Sequence, residues 1–170
     1  MNENELPEPW LRSTLREIPP VHRGVLHALE LAREDIARWC GGLSDEQLNA
    51  QPAGAASIAF HVRHIAGSVD RLLTYAEGSQ LSPEQLGALN SEQDQGAAAR
   101  QIMSEFTSML DQAAARIRAL VAVPSDQPRK VGRRELPTTV GGLLVHIAEH
   151  TQRHVGQAIT TAQFVTRTKG

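Results

Sequence analysis

The chain has 170 residues, 41% of them hydrophobic and 21% charged, with a formal net charge of −2. That is enough chain for one domain with its own core, and the slight acidic balance argues against nucleic acid as a partner, which selects a basic excess. Cys40 is the single cysteine, so no internal disulfide forms and no oxidising compartment is demanded.

The opening Met1-Asn2-Glu3-Asn4-Glu5 lacks the positive start and apolar stretch of a secretory signal. No apolar run approaches the ~18 residues of a membrane span. The expectation is a cytoplasmic protein without a membrane partner. Residues 1–20, with Pro7, Pro9, Pro19 and Pro20, read as an irregular arm, laid over the domain or left mobile. Residues 21–170 read as the domain. Few aromatics, abundant Ala and Leu and no β-branched runs favour helices over sheet.

A first long helix should begin just after Pro19-Pro20, with Val25, Leu29, Ala32, Ile36 and Trp39 on its buried face. Gly41-Gly42 would supply a left-handed stop. Ser44-Asp45-Glu46-Gln47 reads as a capping box for a short helical turn ending at Gln51-Pro52. The second long helix runs from about Ser57 to Tyr75 on the stripe Ile58, Val62, Ile65, Val69 and Leu72, with Gly78 past its end. Ser82-Pro83-Glu84-Gln85 resembles another short capped turn.

The spacing predicts a third long helix over residues 92–121, with Ile102, Phe106, Met109, Ala113, Ile117 and Leu120 facing inward. Residues 125–137 read as a basic loop containing Arg129, Lys130, Arg133 and Arg134. Such a cluster is ordinarily a solvated surface. Thr138 or Thr139 can cap a fourth helix that continues to about Val165, burying Val140, Leu144, Ile147, Thr151, Val155, Ala158 and Ala162. The fold class is therefore all-α: a four-helix bundle whose sites form between facing helices.

Five of the seven histidines lie on two of these helices. His146, His150 and His154 follow one another at four-residue steps, each turning only ~40°, so they stack along one side of the last helix. Two imidazoles at that spacing can converge on one first-row metal ion. Measured from the apolar stripe, His154 lies about 50° away, His150 about 90° and His146 about 130°. His150 and His154 are thus the pair that faces the interior. On the second long helix periodicity leaves the third ligand open between His61 and His64, leaning to His61. His22 and His27 have no such geometry and read as ordinary helix residues. A lone helical histidine is usually a surface group or a satisfied core residue, but several unpaired imidazoles are costly to bury together.

The segments Ser57-Ile58-Ala59-Phe60-His61-Val62-Arg63-His64-Ile65-Ala66 and His150-Thr151-Gln152-Arg153-His154-Val155-Gly156-Gln157 are similar to the two metal-binding signatures of the DinB-like superfamily. These are a His-hydrophobe-Ala triplet and the pattern H-x-x-x-H-x-G-Q. The resemblance extends from about Val21 to Val165. It implies an up-down-down-up four-helix bundle, often a homodimer, holding zinc or nickel with His64, His150 and His154. Relatives in that superfamily include S-transferases and isomerases that use a low-molecular-weight thiol.

The functional expectation is a metal-dependent enzyme acting on a small-molecule substrate, with thiol S-transfer as the leading reaction. A metal-dependent hydrolase and a non-catalytic metal-binding module are the alternatives. Three imidazoles leave an ion at least one open position. Arg71 shares the helical face of His64 and could hold a substrate carboxylate. Gln157 follows His154 by three and could orient a ligand. Glu149 lies away from the histidine face. Cys40, at the end of the first helix and far from both motifs, reads as a buried small hydrophobe.

Overall fold

Proline opens the first helix and serine caps the next three. The computed structural model describes residues 6–93 and 96–167; the acidic opening Met1–Glu5 lies outside them, as do 94–95 and 168–170. Helix α1 covers Pro20–Cys40, with Pro20 in the first turn, where its missing N–H is not needed. Ser44 and Ser82 build reciprocal capping boxes with Gln47 and Gln85, starting α2 (Asp45–Asn49) and α4 (Pro83–Ser91). Ser57 Oγ accepts the Phe60 N–H to start α3 (Ile58–Ala76).

Helix α5 (Ala99–Ala119) has no side-chain cap of its own. The Asp45 carboxylate reaches over from α2 to accept the Ala99 N–H at 2.7 Å. The third long helix therefore begins seven residues later than the spacing predicts, and Glu92 belongs to the end of α4 instead. The reason is local: Ser82-Pro83 nucleates nine residues of helix, and Gly96, at φ +89°, breaks the chain before α5 can start.

The expected basic loop is partly a hairpin. Strands β1 (Pro128–Val131) and β2 (Leu136–Thr139) pair antiparallel, Val131 opposite Leu136 across the turn. Arg129 Nε donates to the carbonyl of Ala76 at 2.7 Å, tying the hairpin to the exposed end of α3. Lys130 pairs with Glu135. Thr139 Oγ1 then accepts the Gly142 N–H to cap α6 (Val140–Arg167).

Helices α1, α6, α3 and α5 form the bundle, each packed against the next and α5 closing back on α1. Their directions follow from which residues meet. His61 and His64 face His154 and His150, so α3 and α6 are antiparallel. Leu29 lies with Ala114 while Ala37 lies with Met103, so α1 and α5 are antiparallel. Val62 lies with Ile102 and Asp70 with Arg116, so α3 and α5 are parallel. The order is up-down-down-up.

The buried stripes match expectation along most of their length, with shifts near the helix ends. Trp39 is 39% exposed and the smaller Cys40 is buried in its place; Leu73, not Leu72, is fully buried. Met109 is half-buried beside the buried Leu110. Gly41 is right-handed, at φ −65°, so α1 does not end on a left-handed residue there. Residues 6–19 of the arm lie on α1: Arg12 is bound by Glu30 and Glu34, and Leu15 and Ile18 pack on the core.

Candidate metal centre

Antiparallel packing brings His64 on α3 level with His150 and His154 on α6. One ring nitrogen from each lies within 4.8 Å of the other two. The ring centroids are 4.5 Å (His64–His154), 4.6 Å (His150–His154) and 5.0 Å (His64–His150) apart. His64 Nε2 and His150 Nε2 face one another at 3.3 Å. The four-residue step on α6 stacks the pair, and the facing helix adds the third ring.

Each ring's Nδ1 has a partner of its own. His64 Nδ1–H donates to Glu92 Oε2 at 2.7 Å, His150 Nδ1 lies 3.4 Å from Ser68 Oγ, and His154 Nδ1 lies 3.1 Å from His61 Nδ1. Phe60 stacks on His64 at 5.4 Å with a 14° tilt. Holding one nitrogen of each imidazole leaves the other aimed, which is the arrangement that orients histidine ligands on an ion.

The electrostatics keep lone pairs free. Burial, and then the neighbouring histidines and Arg153, push His154 down to about 4. Burial and His64 push His61 down, and burial, His64, His146 and Arg71 do the same to His150. Neutral imidazoles are the metal-binding form. Burial works to raise the Glu92 carboxyl, but hydrogen bonds from His64 and Arg71 outweigh it and hold it below its ordinary value. The donor set suits a first-row divalent ion.

The remaining candidates fall in different places. Arg71 is buried, and its Nη1 donates to Glu92 Oε1 at 2.6 Å, so a carboxylate within the protein already engages it. Gln157 is exposed, and its side chain makes no hydrogen bond among the described residues. His146 sits at the exposed edge, paired with Glu149 at 3.0 Å; Glu149 also meets Arg153. His61 is 5% exposed, nearer the apolar centre than His64, as the periodicity predicts. Cys40 is buried and its thiol is pushed up to about 11 by that burial.

His27 is buried with Nε2 3.1 Å from Thr14 Oγ1. His22 is buried with neither ring nitrogen bonded among the described residues. Two residues of the site were not found from the sequence. Ser68 carries a usable signal, lying one helical step from His64 on the same face. Glu92 carries none, because only the fold brings the end of α4 to α3.

The sequence profile of the DinB superfamily matches residues 28–158, a span that contains α3 and the histidine pair of α6. No curated protein matches the chain. The profile match covers most of the sequence, and the chain belongs to the DinB superfamily.

Proposed function

We propose that this protein is a metal-dependent enzyme in which His64, His150 and His154 hold a divalent zinc or nickel ion, and that it transfers a low-molecular-weight thiol to or from a small-molecule substrate. The observation that carries this reading is the donor set: three imidazoles, with no carboxylate or thiolate joining them in the group among the described residues. An ion bound there keeps its full positive charge and an open position, and supplies Lewis acidity that favours the deprotonated form of a thiol or water.

The chain's own residues support the transfer reading. Cys40 is buried with a raised thiol pKa, so it is a poor nucleophile, and in an S-transfer the sulfur would come from a cofactor. Phe60 covers one face of His64 and screens it from water. Gln157, exposed three residues beyond His154, is free to hydrogen-bond a substrate. This reading places the protein in the reducing cytoplasm, where such thiols stay reduced.

The test is cobalt-substituted protein titrated with low-molecular-weight thiols. A visible-spectrum change that saturates with one thiol is expected, because sulfur entering the ion's open position alters its electronic transitions. A spectrum unchanged across all thiols would overturn S-transfer and leave a hydrolase or a non-catalytic metal module.

We also propose a homodimer. Its support is the apolar surface left on α6 and α4, where Val145 is 58% and Leu89 42% exposed. Light scattering should give twice the chain mass of 18.5 kDa, and the single-chain mass at micromolar concentration would overturn it.

A further inference from the structure

We infer that Glu92 is the positioning residue of the histidine group: clamped by Arg71 in the space left by Gly67, its carboxylate fixes His64 as the Nδ1–H tautomer and so commits Nε2 to the ion. This rests on the metal reading above and adds to it the residue that sets one ligand's orientation.

The geometry divides the carboxylate between two partners. Oε2 takes the His64 Nδ1–H at 2.7 Å and Oε1 takes the Arg71 Nη1–H at 2.6 Å, with the Glu92 residue only 6% exposed. A carboxylate only accepts, so the hydrogen of this contact must sit on Nδ1. A neutral imidazole has one ring hydrogen; placing it on Nδ1 leaves a bare lone pair on Nε2. Nε2 is the nitrogen that faces His150.

The clamp occupies one face of α3. His64, Gly67 and Arg71 follow at steps of three and four residues, which align along a helix. A Cβ at Gly67 would stand 2.5 Å from Glu92 Oε1 and 2.6 Å from Arg71 Nη1. Any side chain there must displace the pair. Arg71 thereby neutralises and aims the carboxylate that in turn aims the histidine. Burying an ion pair is by itself a poor way to gain stability, so the contact to His64 is what gives this pair a use. A further cavity of about 340 Å³ has Glu92 and Gly67 in its wall, on the side of α3 towards α5. Glu92 thus reaches His64 from outside the four-helix core.

The test uses full-length, metal-free, isotope-labelled protein for long-range proton–nitrogen NMR of the histidine rings, and chelator competition for zinc affinity. Glu92→Gln keeps an acceptor, while the double variant Arg71→Met with Glu92→Leu removes both charges without leaving one buried alone. The wild type should show His64 as the Nδ1–H tautomer. In the double variant that preference should be lost and zinc affinity should fall about 10- to 100-fold, with helical circular dichroism retained. Glu92→Gln should fall between the two in both readouts.

A double variant that keeps both the tautomer and wild-type zinc affinity would overturn the proposal. A wild type that binds no zinc would overturn the metal reading instead, and the NMR arm, which needs no metal, would still decide whether Glu92 holds His64.

Discussion

His61 Nδ1 lies 3.1 Å from His154 Nδ1, so a buried histidine on α3 steers a ring on α6 that belongs to the three-histidine group. His61 should therefore tune the site without composing it. His61→Ala is expected to bind zinc to the same stoichiometry at saturation, with affinity lowered about tenfold. His64→Ala, His150→Ala and His154→Ala should each lose most of the metal, and His22→Ala should keep it. Elemental analysis of protein purified without a histidine tag checks this. Equal retention in all five variants would remove the assignment.

Acid should weaken the metal-free fold. His61, His150 and His154 all have pKa values below the ordinary 6.5 when folded, His154 at about 4. Between those values the unfolded chain binds more protons than the folded one, so stability falls as pH drops. It is complete above about 6.5, declines towards 4, and at lower pH also loses the contribution of Glu92, whose folded pKa lies below 4.5. Urea midpoints of metal-free protein at pH 7.5, 5.5 and 4.5 should decrease in that order. A flat series would contradict it.

Metal should stabilise without being required for folding. The core of Leu, Ile, Val and Ala residues on four helices does not depend on the histidines. Chelation is expected to leave the helical signal intact and lower the melting temperature, because an ion that binds only the folded chain stabilises it by mass action. An unfolded spectrum after chelation would make the ion structural.

Buried groups without partners mark places where the fold can be improved. Thr151 Oγ1 and both nitrogens of His22 are buried and unbonded among the described residues. Replacing such a group by an apolar one of similar shape is neutral or favourable. Thr151→Val and His22→Leu should each leave stability unchanged or raise it by up to about 1 kcal/mol, measured by urea unfolding. A loss larger than that would mean the polar atom has a partner after all.

Gly67→Ala should separate scaffold from site. Alanine in a helix interior is favoured over glycine by about 0.8–1 kcal/mol, yet the added Cβ meets Glu92 and Arg71. Zinc affinity should drop although the atoms nearest the added Cβ belong to Glu92 and Arg71 and not to a histidine ring. Unaltered affinity would show that the ion pair can shift without disturbing His64.

Helix periodicity made the bundle legible because Val25, Leu29, Ala32 and Ile36, or Val140, Leu144 and Ile147, are spaced for one buried face. It failed where packing chose between adjacent residues, as with Trp39 and Cys40 at the end of α1. The hairpin was hidden because Pro128 and Pro137 break the strand pattern and each strand has only four residues. On α3, periodicity correctly ranked His61 as the more buried, but burial is not what selects a ligand. His64 joins His150 and His154 because of where its ring reaches across to α6. Glu92 lay beyond sequence reasoning altogether, since its role depends on a contact between α4 and α3.

His64 and His150 are 86 residues apart in the chain, while His150 and His154 share one turn of α6. An ion held by all three would be a clasp across that long loop, so the cost of closing the loop is met by the fold before the third ligand is in place. A nascent chain that has completed α3 but not α6 carries one ligand and no site. Such a clasp would shut only when the last helix docks, which would make metal capture a late event in the life of the chain and a marker that its final helix has docked.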